Sequence, residues 1–252
     1  MPGLGYLLLG ESRRLYVTVF VFYSIVILGS ILGLYPVFSG FIFILFSLLV
    51  LHVGTATHAA LRRRKTRSHA SNGFLKWAFT TVFFALTVTS FGNARTMLGF
   101  DRVSMAVPVM EPEIVQGEQL LVDTWAYKSK KPKRGDIVIH SFSGQRGLFL
   151  NRIIAVGGDR IKIEDGKVWI NGILIKEHYV APENMTKDES IKMPLMVVPM
   201  HSYFVMGDNR DKSLGDSRFS GPIRSEDIQG KITFILYSQD LSRIGKNLNR
   251  RG

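Results

Sequence analysis

Two uncharged apolar runs, residues 15–35 and 37–57, constrain this chain more than any other feature. At about 1.5 Å of rise per residue each can cross a hydrocarbon layer as a helix, the form that satisfies its own backbone polar groups in lipid. Pro36 separates them and allows a sharp reversal, so the pair is expected to fold as a helical hairpin. A third run, residues 74–91, is diluted by Thr80, Thr81, Thr87 and Thr89 and carries Lys76, which can snorkel to the interface from near the end. Three spans within a membrane domain, residues 1–100, are the expectation. A cleaved secretory leader is not expected, because a second span follows the first at once.

The placement of charge orients these spans. The formal charge is +12, and Arg13, Arg14, Arg62, Arg63, Arg64, Lys65 and Arg67 flank or join the apolar runs, as cytoplasmic membrane flanks do. With the basic loop inside, the amino terminus is inside too, and three crossings deliver everything after about residue 92 to the outer side. No basic groove interleaved with aromatic residues is visible, so nucleic acid is not an expected partner. The chain has no cysteine, which excludes disulfides and thiolate metal sites, and its six histidines lack metal-ligand spacing. Neither metal nor cofactor is expected. Residues 241–252 read as a solvated basic tail, with Arg243, Lys246, Arg250 and Arg251.

From Met105 the pattern changes to short β-rich runs: residues 119–125, 136–142, 148–156, 161–164, 167–170, 173–176, 203–206 and 232–237. Asp165-Gly166 and Asn171-Gly172 are strong hairpin signals, because both central residues of the favoured tight turn need positive φ. Residues 182–194 read as a polar loop, and no long amphipathic helix follows residue 100. The expected fold is three transmembrane helices followed by a mainly β extracytoplasmic domain over residues 101–240.

Between two apolar β-type runs stands a segment too polar for a strand and too rich in Gly and Asn for a helix: Gly207-Asp208-Asn209-Arg210, then Ser213, then Asp216-Ser217-Arg218. Three earlier stretches accompany it. These are Met110-Glu111-Pro112-Glu113-Ile114 with Gly117-Glu118, Arg134-Gly135-Asp136-Ile137-Val138, and Asn151-Arg152 leading to Gly157-Gly158-Asp159. In this order, behind membrane spans, the four stretches resemble the signature boxes of the type I signal peptidases. Those are membrane-anchored serine endopeptidases that use a Ser/Lys pair. The resemblance implies a bacterial inner (cytoplasmic) membrane location, the lipid bilayer and exported preproteins or their signal peptides as partners, and an extracytoplasmic β domain of the signal peptidase I type.

The departures fall where hydrolysis needs chemistry. The family's nucleophilic Ser precedes the Met of the first box, and Val109 stands there; the general-base Lys precedes the Arg of the third box, and Asn151 stands there. Valine has no nucleophilic atom and an amide accepts no proton at any working pH. Ser213 matches the family serine that supports the lysine, although one extra residue separates it from Asp216 compared with the commonest spacing. Ser104-Met105 imitates the family dipeptide, but on an extended strand Ser104 would project away from the Val109 face. Lys162 and Lys167, in the hairpin strands, carry no signal directing them at Val109.

The binding apparatus survives these changes. By resemblance, substrate lies extended between residues 105–109 and 149–151, bonding through the main chain, with Met105, Val107, Pro108, Met110, Phe149 and Leu150 supplying contacts. Arg152 with Asp208, and Asp216 with Arg218, are the implied ion pairs holding the loop on the sheet. The expected function is engagement of signal-peptide or other extended segments of exported proteins, with peptidase activity lost or strongly reduced. The alternatives are an active peptidase with a non-standard dyad, and a structural subunit docked to another membrane protein.

Overall fold

The computed structural model describes residues 12–63, 94–142 and 147–248, together with Tyr6, Thr81 and Val82. The chain divides into two compact units, residues 1–100 and 101–252. In the first, helices α1 (Ser12–Ile31) and α2 (Phe38–Arg63) are joined by a turn at residues 32–37, and α3 (Ala94–Met97) follows. Phe22, Val26, Tyr35, Ile44 and Leu98 are buried together. A Cβ on Gly29 would fall 2.5 Å from Ile44 Cδ1, so the small residue lets the helices close on each other. The outward faces are apolar as well, with Phe20 73% and Phe43 63% exposed, a distribution that suits lipid rather than water. Residues 13–31 and 38–58 are long and apolar enough to cross a membrane. The expected third span, residues 74–91, lies outside the described residues apart from Thr81 and Val82, as does the basic loop beyond Arg63. Two apolar helices therefore stand among the described residues where the sequence suggested three.

The second unit carries two antiparallel sheets. Seven strands, in the order β1-β2-β11-β3-β4-β9-β10, form the larger: β1 (Phe100–Ser104), β2 (Gln119–Asp123), β3 (Ile137–His140), β4 (Phe149–Val156), β9 (Ser202–Met206), β10 (Ile223–Arg224) and β11 (Ile228–Tyr237). Strands β3 and β9 are buried along their whole length, which explains why they read as unbroken apolar runs rather than alternating ones. The smaller sheet has the order β7-β6-β5-β8: β5 (Arg160–Glu164), β6 (Lys167–Ile170), β7 (Ile173–Leu174) and β8 (Met193–Val197). Both of its hairpin turns have the expected geometry, with φ of +50° and +72° at Asp165 and Gly166, and +54° and +82° at Asn171 and Gly172.

Three expectations are corrected. Residues 182–194 are not one polar loop: a 3-10 turn (Pro182–Asn184) and a helical turn α4 (Asp188–Ile191) lead into β8, whose Pro194 is tolerated because β8 is an edge strand. Residues 105–109, expected as a strand, are bent and unpaired beyond Met105, which bonds Glu118 O and Gly117 N at 2.8 Å each. The carboxy-terminal segment is not solvated through residue 248. Leu248 is buried in the first core cluster, and Arg243 donates to both carboxylate oxygens of buried Glu118 at 2.6 and 3.1 Å.

Candidate active-site cleft

A cleft of about 350 Å³ opens where the end of β1, the bend at residues 106–109, the start of β4 and the loop after β9 converge. Val109, Asn151 and Ser213 all line it. Val109 is fixed from behind: its carbonyl accepts from Asn209 N at 3.0 Å, and its side chain packs on the first core cluster. Gly207 makes this approach possible, since a Cβ there would lie 2.5 Å from Ser213 Cβ and 2.6 Å from Val109 O.

The floor of the cleft is a hydrogen-bonded chain of three side chains. Register places Val138 opposite Asn151 and His140 opposite Phe149, so His140 and Asn151 share one face of β3 and β4. His140 Nε2 lies 2.9 Å from Asn151 Oδ1, and Asn151 Nδ2 donates to Ser213 Oγ at 3.3 Å. Phe149 stacks on the imidazole and Phe142 meets it edge-on, with ring centroids at 6.0 and 4.8 Å. Burial lowers the basicity of His140 below its ordinary value. Its neutral ring suits a carboxamide neighbour, which has no charge to offer an imidazolium.

Buried charge pairs hold the loop that carries Ser213. Arg152, on β4, forms a bidentate pair with Asp208 at 2.9 and 2.6 Å and lies 4.0 Å over the Tyr179 ring. Burial pushes the Asp208 carboxyl up, and the Arg152 guanidinium opposes that push. Arg210, wholly buried, bonds Gly207 O at 3.0 Å and Glu177 at 2.6 Å. Asp216 caps α5 (Ser217–Ser220) and takes two bonds from the Arg218 guanidinium, at 3.0 and 2.9 Å. That guanidinium also holds the carbonyls of Arg210 and Ser213, at 2.7 and 3.2 Å. Among the described residues the buried charges of this loop are thus paired, which fixes the loop on the sheet.

Loop, strands and floor together match known proteins over most of this unit. The sequence model of the family described as "Signal peptidase, peptidase S26" matches residues 74–237. The chain belongs to that family. Signal peptidase I V of Bacillus subtilis (strain 168) is 35% identical over 134 residues, 49% of this chain and 78% of that protein. Signal peptidase I P of Bacillus subtilis subsp. natto is 30% identical over 136 residues, 51% of this chain and 72% of that protein. A crystal structure of a signal peptidase I from Enterococcus faecalis is 28% identical with a TM-score of 0.36, covering 41% of this chain and 98% of that one.

Within this signal peptidase type of β domain, the residues singled out by motif fall into three groups. Met105, Val107, Phe149 and Leu150 line the cleft with Val109, Asn151 and Ser213. Met110 does not: it is fully buried in the first core cluster, turned inward by the bend at 107–110, and Pro108 is not part of the lining. Ser104 lines the cleft alongside Val109, contrary to the alternation argument, because the bend after Met105 ends the extended strand on which that argument relied. Lys162 bonds Glu164 at 2.8 Å, and neither it nor Lys167 lines the cleft. Sequence reasoning missed His140 and Lys212, both beside named motifs. The pairing of β3 with β4 could have exposed His140, two residues along from the partner of Asn151.

Proposed function

We propose that this signal peptidase family member binds extended segments of exported proteins in the cleft and has lost peptide hydrolysis by the Ser/Lys route. The observation that carries the reading is Asn151: a carboxamide bonded to His140 on one side and Ser213 on the other, at the motif position of the base, with Val109 at that of the nucleophile. Loss of a single member of such a pair lowers turnover by about six orders of magnitude in serine hydrolases, and here both motif positions differ. The cleft's apolar walls and the exposed residues Ala106 and Val107 beside it support retention of binding, since neither depends on a nucleophile. The two apolar helices, with the apolar run 74–91 as a third crossing, anchor the protein in the cytoplasmic membrane of a bacterium and put the amino terminus and the Arg62-to-Arg67 loop inside and the β unit outside.

Purified protein in detergent, incubated with a radiolabelled preprotein, tests the reading: binding without product is expected. A second reading, an active dyad of another kind, is favoured by one observation, that Ser104 and Lys212 both line the cleft. Product that disappears in Ser104→Ala or Ser213→Ala would establish it and overturn the first.

A further inference from the structure

The electrostatics of the cleft point to a more specific ligand, and this inference rests on the peptide-binding reading above. Among the lining residues there is no carboxylate, and Lys212 is the one charged side chain. Lys212 is exposed and forms no ion pair among the described residues. Apart from Ser104, Asn151 and Ser213 the other lining side chains are apolar, with Val107, Leu148 and Leu214 half or more exposed at 52%, 51% and 64%.

The hydrogen-bond inventory of the floor has the same sign. An amide nitrogen carries two hydrogens, and Asn151 Nδ2 gives one to Ser213. Its second hydrogen and the hydroxyl hydrogen of Ser213 have no acceptor among the described residues. Asn151 Oδ1 is taken by His140, and the main-chain oxygen of Ser213 is taken by Arg218. Through Asn151, Ser213 and Lys212 the cleft presents an N–H, an O–H and an ammonium, while Asn151 Oδ1 and Ser213 O are already engaged and Ser104 adds a hydroxyl that can donate as well as accept. An internal peptide carbonyl is neutral and gives the solvated ammonium no ionic partner. A carboxylate accepts several such bonds and balances the charge, and charge-assisted bonds are the stronger kind.

We propose that the cleft holds the free carboxylate end of an extended apolar peptide, rather than an uncut chain. Hydrolysis of a peptide bond supplies such an end: water adds its hydroxyl to the acyl carbon, the C–N bond breaks, the departing amine takes water's other hydrogen, and the amino-terminal fragment loses its acid proton to solvent and leaves as a carboxylate. A peptidase acting on membrane-inserted leaders is the class of reaction that provides the ligand, and this protein acts after the cut.

Three fluorescent synthetic peptides test the proposal against the full-length protein in detergent, read by anisotropy. Each has the same apolar segment ending in Ala-Ser-Ala; one is a free acid, one a carboxamide, and one continues for several residues beyond the final Ala. The free acid is expected to bind roughly tenfold tighter than the other two. That margin should collapse in Lys212→Gln, whose exposed side chain leaves the fold intact, and shrink with added salt. Equal or tighter binding of the carboxamide or extended peptide overturns the carboxylate site while leaving the peptide-binding function standing. A margin that persists in Lys212→Gln overturns the assignment to this cleft. Failure of all three peptides to bind overturns the peptide-binding function itself.

Discussion

Val109 and Asn151 stand at the two motif positions in the cleft, and their neighbours define what a Ser/Lys pair placed there would meet. In Val109→Ser with Asn151→Lys, the new hydroxyl enters a segment already anchored through Val109 O, and the new lysine meets Ser213 at its motif-matched support position. Detectable preprotein cleavage by the double variant is the expected result, measured against both single variants, which should stay inactive. His140 makes its own prediction. Its folded-state basicity is depressed by burial, with Asp227 and Asp216 acting in the opposite sense. The unfolded chain therefore takes up this proton first on acidification. The stabilisation is complete above about pH 6.5 and is lost as pH falls below it. Melting temperature should drop between about pH 7 and pH 5 in the wild type, and less steeply in His140→Phe. Arg152→Ala strands the buried Asp208 carboxylate and should destabilise the β unit by about 3–5 kcal/mol in denaturant titration. Adding Asp208→Leu should recover a good part of that loss.

At the scale of elements, the readable parts of the sequence were those with a local cause. Hairpins at Asp165-Gly166 and Asn171-Gly172 follow from turn chemistry, and β6 was delimited at both ends because such turns bracket it. The strand β8 was hidden by Pro194, whose lost donor matters in a central strand and not on the edge that β8 occupies. The bend at 106–109 could not be read either, since it is fixed by a long-range bond from Asn209 N to Val109 O. His140 escaped for the same reason: its role comes from strand pairing, not from any motif containing it. Asp211 ties the segment before β8 to the cleft loop, accepting from Thr186 N at 2.9 Å, Thr186 Oγ1 at 2.7 Å and Ser190 Oγ at 2.6 Å. Asp211→Ala should raise amide hydrogen exchange over residues 184–192 while β4 and β11 keep their protection.

Across the whole molecule, the chain is two units with different surfaces. The helical unit leaves apolar side chains outward along α1 and α2, whereas the β unit gathers most of its own into clusters within and between its sheets. Closure of the β unit depends on residues far apart in sequence: Arg243 on Glu118, Lys246 on Glu113 at 3.2 Å, and Leu248 in the core beside β11. A basic composition alone gave no hint of this, because the acidic partners lie more than a hundred residues upstream. Leu248→Ala should destabilise the β unit by about 2–5 kcal/mol, measurable by chemical denaturation. Removal of residues 241–252 should do more, leaving the buried Glu118 carboxylate without its guanidinium.

Gly207 shows how the two halves of the cleft are coupled. With hydrogen where any other residue has carbon, the segment bearing Val109 and the loop bearing Ser213 nearly touch across it. Even alanine would act as a wedge, prising apart the walls whose separation determines how thick a guest the groove can admit.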